Sequence, residues 1–242
     1  MPFVKHMKKK QLAFLLTLLI ASGVAAQSRK AVFLLDTSYL PPVYYESFKS
    51  DLPIYNGRLF ESYPPSMIGT PFLDDSKWHN GAVCFDSVWY KNLNLRYDAN
   101  AETLIIEDKQ MLPVIISNQK VAAFYLENRK FVKLGTDIDK ALVNGFYEIL
   151  NEAKLPVLIL RKKYIRETIN QQESKVDREF IWISKFYIYK DQRFLQVHSQ
   201  KDLYTILGVR RAVVARALRK AHIKFKTNAE EAILAAAQLY NP

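Results

Sequence analysis

The sequence predicts an α+β protein: a mostly antiparallel β body, built as a meander, curved sheet or partial barrel, followed by a short C-terminal helical segment. Three observations predict it. Across residues 31–197, Val, Ile, Leu, Tyr and Phe cluster in short runs broken by turn residues. The connections between these runs are short, which favours antiparallel neighbours, because parallel strands need long crossovers. After Val197 the apolar period changes from that of strands to that of helices. The 242 residues are 49% hydrophobic and 24% charged, a globular composition with enough chain to bury a real core.

The first element is an address rather than a part of the fold. Residues 1–26 read as a secretory signal peptide. Lys5, Lys8, Lys9 and Lys10 make a basic start, and residues 12–20 are apolar apart from Thr17. Small residues from Ala21 to Ala26 then predict cleavage before Gln27. The apolar run is far shorter than the roughly 20 residues that span a bilayer. No later stretch is long and charge-free enough to span, and no cysteine follows the cleavage region to carry a lipid. The mature chain is therefore expected to be exported, periplasmic or extracellular, without a transmembrane span. The expected organisation is a signal peptide (1–26), a β-rich domain (27–198) and a helical segment packed on it (199–242).

Within the β body, Asn56-Gly57 between Ile54-Tyr55 and Arg58-Leu59-Phe60 predicts a hairpin, since Asn-Gly accepts positive φ at both central positions. Residues 127–130 join runs 122–126 and 131–134. Residues 151–154 separate 146–150 from 155–161, and residues 190–193 separate 186–189 from 194–197. Two stretches are irregular, at Pro41-Pro42 and at Pro64-Pro65 with Pro71, because proline gives no ladder donor. The second stretch, residues 61–79, carries Tyr63, Met67, Phe72 and Trp78. These side chains either plug the end of the core or, in the case of Tyr63, Phe72 and Trp78, face a ligand.

In the helical segment, Ser199 with Asp202 three residues on predicts an N-cap, and Gly208 a helix end. A second helix is expected over about 209–222. Thr227 with Glu230 predicts another capping box ahead of an Ala-rich helix over 230–240.

Several segments taken in order resemble a family of secreted proteins of unknown function that is common in Bacteroidetes. They are Gly69-x-Pro71-Phe72, Trp78-x-x-Gly81-x-Val83, Tyr90, Leu95-x-Tyr97-Asp98, Lys120-Val121 and Phe131-Val132. Gly145-Phe146-Tyr147-Glu148-Ile149-Leu150, Arg161-Lys162-Lys163 and the closing basic and Ala-rich helices with Tyr240 continue the likeness. The resemblance implies export and a single unit rather than a fusion. It implies no activity, cofactor or catalytic residue. Where such proteins have a glycine after Asp86, this chain has Ser87, which puts a tight turn there in doubt.

The chemistry the chain lacks narrows its function. Its seven glycines are at least ten residues apart, so no Gly-rich phosphate loop or nucleophile elbow can be written. The single cysteine, Cys84, excludes an internal disulfide and any Cys-x-x-Cys site, and in an apolar run it reads as packing. His79, His198 and His222 are far apart, and no metal-ligand spacing appears. Asp137-x-Asp139 reads as a solvated turn more readily than a cation site. Paired carboxylates for glycoside hydrolysis would have to come from Asp74-Asp75 or from Glu46, Asp51, Glu61, Asp74 and Asp98. No cofactor and no metal is expected.

Charge supplies the positive signal. Without the signal peptide the net charge falls from +11 to +7. Residues 27–150 carry −2 and residues 151–242 carry +9. In the second helix Val213, Val214, Ala217, Leu218 and Ala221 share one face. Arg211, Arg216, Arg219 and Lys220 lie opposite, as a solvated face or as an anion-binding one. An exported protein rarely meets nucleic acid, so the expected partner is an anionic envelope component or a protein. The function expected is a non-enzymatic, envelope-associated binding module. A hydrolase of envelope glycan or lipid, and a carrier of an apolar ligand within a curved sheet, are the alternatives.

Overall fold

The computed structural model describes residues 52–152, 155–170, 175–208 and 211–240. They belong to the second of the two units into which the chain divides, Leu40–Pro242. The expected signal peptide, its cleavage site and Pro41-Pro42 lie outside the described residues.

Among the described residues, eleven strands form one open antiparallel sheet, and three helices follow it. The strands are β1 (Arg58–Leu59), β2 (His79–Phe85), β3 (Val88–Asp98), β4 (Thr103–Glu107), β5 (Pro113–Ile115) and β6 (Val121–Leu126). They continue with β7 (Arg129–Leu134), β8 (Gly145–Asn151), β9 (Val157–Asn170), β10 (Lys175–Lys190) and β11 (Arg193–Val197). The spatial order is β1-β5-β4-β3-β2-β6-β7-β8-β9-β10-β11. Two meanders thus grow from the central β2–β6 pair. The first ends at β5, where the short β1 adds an edge strand. The second runs hairpin by hairpin to β11.

The sheet is rolled without being closed. Lys163 N in β9 donates to Ala99 O, beyond the end of β3, at 2.8 Å. In a flat sheet β3 and β9 would stand about five strand spacings, roughly 24 Å, apart. Only strong curvature can bring them into contact.

Side chains of paired residues point to the same face, so one row can be followed across the sheet: Val83, Phe124, Phe131, Glu148, Ile159, Phe186 and Val197. This is the concave face. At one end it is filled by aromatic packing. Phe124 stacks on Phe131 with centroids 4.5 Å apart, and the rings of Tyr97 and Phe146 lie within 6 Å of Phe124. At the other end the helices α1 (Gln200–Leu207), α2 (Arg211–Lys220) and α3 (Ala229–Leu239) cover it. Leu203, Val214, Leu218, Ile233 and Ala236 share a core there with Val157, Ile188 and Val197. Glu148, in the middle of the row, separates the two apolar regions. On the convex face, residues 135–144 connect β7 to β8, anchored by Tyr147 Oη donating to Val143 O at 2.9 Å and by Asp139 Oδ2 accepting from Phe194 N of β11 at 3.0 Å.

Several elements differ from the sequence reading. Asn56-Gly57 makes no hairpin. Pro53–Tyr55 is a 3₁₀ turn with Pro at its start, and β1 pairs with the distant β5 instead. Gly57 is needed for close approach, since a Cβ would lie 2.2 Å from Ile115 O. The turn at Asp86-Ser87 is tight despite the missing glycine, with φ of 53° and 67°. Ser199 caps α1 as expected, accepting from Asp202 N at 3.2 Å, but Asn228 rather than Thr227 stands at the start of α3. Of the apolar residues expected to bury on α2, Val214 and Leu218 do, whereas Val213 is 52% exposed. Positions 214 and 218 are one turn apart on a single line, and 213 is about 100° away from it.

Candidate functional site

The basic helix α2 is the first candidate. Arg211, Arg216, Arg219 and Lys220 are all exposed, as are Lys224 and Lys226 just after it. Val214 and Leu218 anchor the helix, and α3 packs beside it. The anchored face therefore aims the opposite face at solvent. Among the described residues no carboxylate forms an ion pair with any of these six cations. Many cations of the sheet are paired instead: Arg129, Arg161, Arg166, Arg178, Lys130 and Lys162 all meet acids, while the exposed Arg58, Lys91 and Arg193 stand singly on separate strands. Arg219 and Lys220 also stand in the last turn, where the negative end of the helix dipole favours them.

Beside this face, a cavity of about 550 Å³ opens between α1 and the start of α2. It is lined by Gln200, Lys201, Tyr204, Thr205, Gly208 and Arg211. The Arg211 guanidinium lies 5.3 Å from the Tyr204 ring centroid, which holds its fork at the rim. Sequence reasoning missed Lys201, on the exposed stripe of α1, and Tyr204, half-buried at the edge of the helical core.

The aromatic loop 61–79 is a strap across the roll. Ile68 N donates to Arg178 O at 2.8 Å and Ile68 O accepts from Phe180 N, so one residue bridges to β10. Farther on, Ala99 N donates to Pro71 O and Leu73 N to Tyr97 O, both at 2.9 Å. The buried Lys163 clamps the strap, its Nζ donating to Thr70 O at 2.8 Å and Phe72 O at 2.5 Å while facing the Trp182 ring at 4.3 Å. Burial lowers the Lys163 pKa below its ordinary value.

The three aromatic residues proposed to face a ligand are tied into this strap. Phe72 is buried. Tyr63 donates to Asp98 Oδ2 at 2.9 Å and accepts from Asn100 Nδ2. Trp78 is covered by Arg96 at 3.7 Å. Glu61, Tyr63 and Asp98 do line one cavity of about 480 Å³, with Arg58 and Thr103. Burial raises the Asp98 pKa, against hydrogen bonds from Ala101 N, Tyr63 and Asn100 N.

The acids at the far end of the strap are engaged. Asp74 pairs with Arg129, whose guanidinium also meets Glu148 at 2.7 Å. Glu148 accepts from Arg161 at 2.8 Å, and Arg161 reaches Glu230 of α3. This alternating chain runs from the strap across β7, β8 and β9 to the helices. Burial alone would raise the Glu148 pKa, but Arg129 and Arg161 hold it below the ordinary range. His79 lies between Glu127 (2.8 Å) and Asp75 (3.1 Å). The Glu127 hydrogen bond, against partial burial and joined by Asp75, raises its pKa above the ordinary 6.5. Both ring nitrogens are engaged by carboxylates, which leaves neither free to take a proton from a substrate.

Asp139 spends its carboxylate on Ala141 N and Phe194 N. Among the described residues no group of His, Cys, Asp and Glu is arranged to hold a metal. Glu46 and Asp51 lie outside the described residues. Cys84 is half-buried in β2, and burial raises its pKa. Among the described residues no helix is long and apolar enough to cross a membrane.

Comparison with known proteins returns no relative: no family model matches the chain, and no curated protein or solved structure is significantly similar to it.

Proposed function

We propose that this is an exported, envelope-associated binding protein in which the rolled sheet is a scaffold and the helical end docks an anionic surface. One observation carries the reading: six exposed cations without an acidic partner among the described residues, Arg211, Arg216, Arg219, Lys220, Lys224 and Lys226, are gathered on α2 and the turn after it, whereas the unpaired exposed cations of the strands, Arg58, Lys91 and Arg193, are scattered over three separate strands. Leaving several like charges unpaired on one rigid face costs stability and creates a positive potential, which a negatively charged partner relieves. Arginine suits the task because its fork holds phosphate or carboxylate bidentately. The side-chain filling of the concave face supports a scaffold rather than a container. Engagement of Asp74, Asp75 and His79 in ion pairs supports binding rather than hydrolysis. Export, and kinship with the secreted Bacteroidetes proteins that the sequence resembles, are part of the same proposal.

The test is co-sedimentation of the purified protein with vesicles containing anionic phospholipid. Binding should fall as salt rises, because screening weakens exposed charges. Replacing Arg211, Arg216 and Arg219 together by Ala should weaken it by about tenfold or more, as each charge near an anionic membrane contributes about 1 kcal/mol. A triple variant that binds like the wild type would falsify the reading.

A further inference from the structure

The β9–β10 hairpin outgrows the sheet. β8 covers β9 only as far as Leu160, and β11 covers β10 only from Phe186. Beyond those points residues 161–170 and 175–184 pair with each other, touched at the edges by Ala99 and Ile68. Several apolar side chains of the arm reach water beside its ion pairs. Ile169 is 74% exposed, and Ile165, Val176, Trp182 and Ile183 are exposed as well.

The bonding phase of its free edge can be read directly. Lys163 N points out of the hairpin, toward Ala99 O. Alternation in an antiparallel pair therefore puts the N–H and C=O of Ile165, Glu167 and Ile169 on that same outer edge. Among the described residues no backbone group bonds to them. An exposed row of this kind is a template for another strand.

We propose that this edge of β9 pairs antiparallel with the same edge of a second copy, about a two-fold axis at Glu167. The side chains select both partner and register. With Glu167 on the axis, Ile165 stands opposite Ile169 of the second copy, and the two-fold repeats that contact. Each arm already pairs Ile165 with Phe180 and Ile169 with Val176, so the joined arms carry continuous apolar rows of four residues. On the other face Arg166, paired with Glu179 in its own arm, meets Thr168 of the second copy, with Asp177 of that copy one strand beyond. Arg166 thus gains an acid on each side. The two Glu167 carboxylates meet at the axis, but each is held by its own Arg178 at 2.7 Å. A slip of two residues would set Ile165 against Glu167 and Arg166 against its own copy. A slip of one would turn every side chain to the wrong face. Such self-complementarity is what a two-fold interface requires.

Ala99 blocks the edge at Lys163, so the shared ladder is short, with about six hydrogen bonds. The interface falls in the small, reversible class.

Sedimentation velocity on the protein, purified in the form that accumulates in cells, tests this. A monomer–dimer equilibrium is expected between micromolar and millimolar concentration. Glu167→Pro removes an outward N–H without touching the β9–β10 ladder and should raise the dimer dissociation constant by about tenfold or more. Glu167→Thr, which keeps the N–H, should dimerise. Ile169→Lys alters a solvent-exposed side chain, leaves the monomer folded by circular dichroism and should also disfavour the dimer, which keeps the test decisive if the proline variant misfolds. In a Cys84→Ser background, Glu167→Cys should cross-link to its own copy on oxidation. A chain that stays monomeric throughout, leaving the edge to a strand from another protein, overturns the proposal. So does a dimer that Ile169→Lys leaves unchanged.

Discussion

Glu148 shows how a single residue can divide a core. It occupies a sheet position whose neighbours along the row are Phe131 and Ile159, and its side chain is 6% exposed. Burying a carboxylate there is tolerable because Arg129 and Arg161 supply three charge-assisted hydrogen bonds. Removing it leaves two half-buried guanidinium groups without that partner. Glu148→Gln is expected to cost about 3 kcal/mol, measured by urea denaturation. A pH dependence follows from the same contacts. The folded pKa of Glu148 lies below its ordinary 4.5. Its contribution is therefore present above that value and lost as pH falls through the folded pKa. Stability of the wild type should drop more steeply below pH 4.5 than that of Glu148→Gln, and identical acid limbs would contradict the assignment. Nothing local in Gly145-Phe146-Tyr147-Glu148 announces this role. Arg129 and Arg161 are 19 and 13 residues away in the chain, so only folding brings the three together. Lys163 is the same case, since its carbonyl acceptors lie more than 90 residues earlier.

At the scale of elements, local chemistry was legible where one interaction sets the structure. Ser199 capped its helix, and the short connection at residues 127–130 made its hairpin. Glycine was a weaker guide. Asp86-Ser87 and Asp191-Gln192 both turn with positive φ and no glycine, because the strand pairing on either side imposes the turn against the preference of the residues. Such strain should be releasable. Ser87→Gly is expected to raise stability by about 1 kcal/mol, seen as a higher urea midpoint with an unchanged slope. Asn56-Gly57, the strongest local hairpin signal, failed for the opposite reason: its flanking segment found a better partner in β5. The length of the β9–β10 arm was equally hidden. Charged and apolar residues follow one another there without alternation, and of its described residues only Lys163 and Phe180 are buried, so the period that marks a core-facing strand is missing.

For the molecule as a whole, the helices complete the sheet. Val157, Ile188 and Val197 are at most 4% exposed, and their cover comes from α1, α2 and α3. A chain ending after His198 would present that strip, already flanked by an apolar arm, to solvent. It is expected to accumulate in the insoluble fraction, whereas the intact chain stays in the supernatant. A soluble, cooperatively folding truncation would show that the helical segment is a separate body.

The α+β class, the antiparallel character, the helical ending and the concentration of positive charge near the C-terminus were determined by the sequence alone. Each depends on residue type and short spacing, which are properties of the chain before it folds. Tertiary structure decided the roll of the sheet, the clamp at Lys163, the division of the concave face at Glu148 and which cations remain unpaired. Those depend on contacts between distant segments, and their register is set only when the whole sheet has rolled around its aromatic residues.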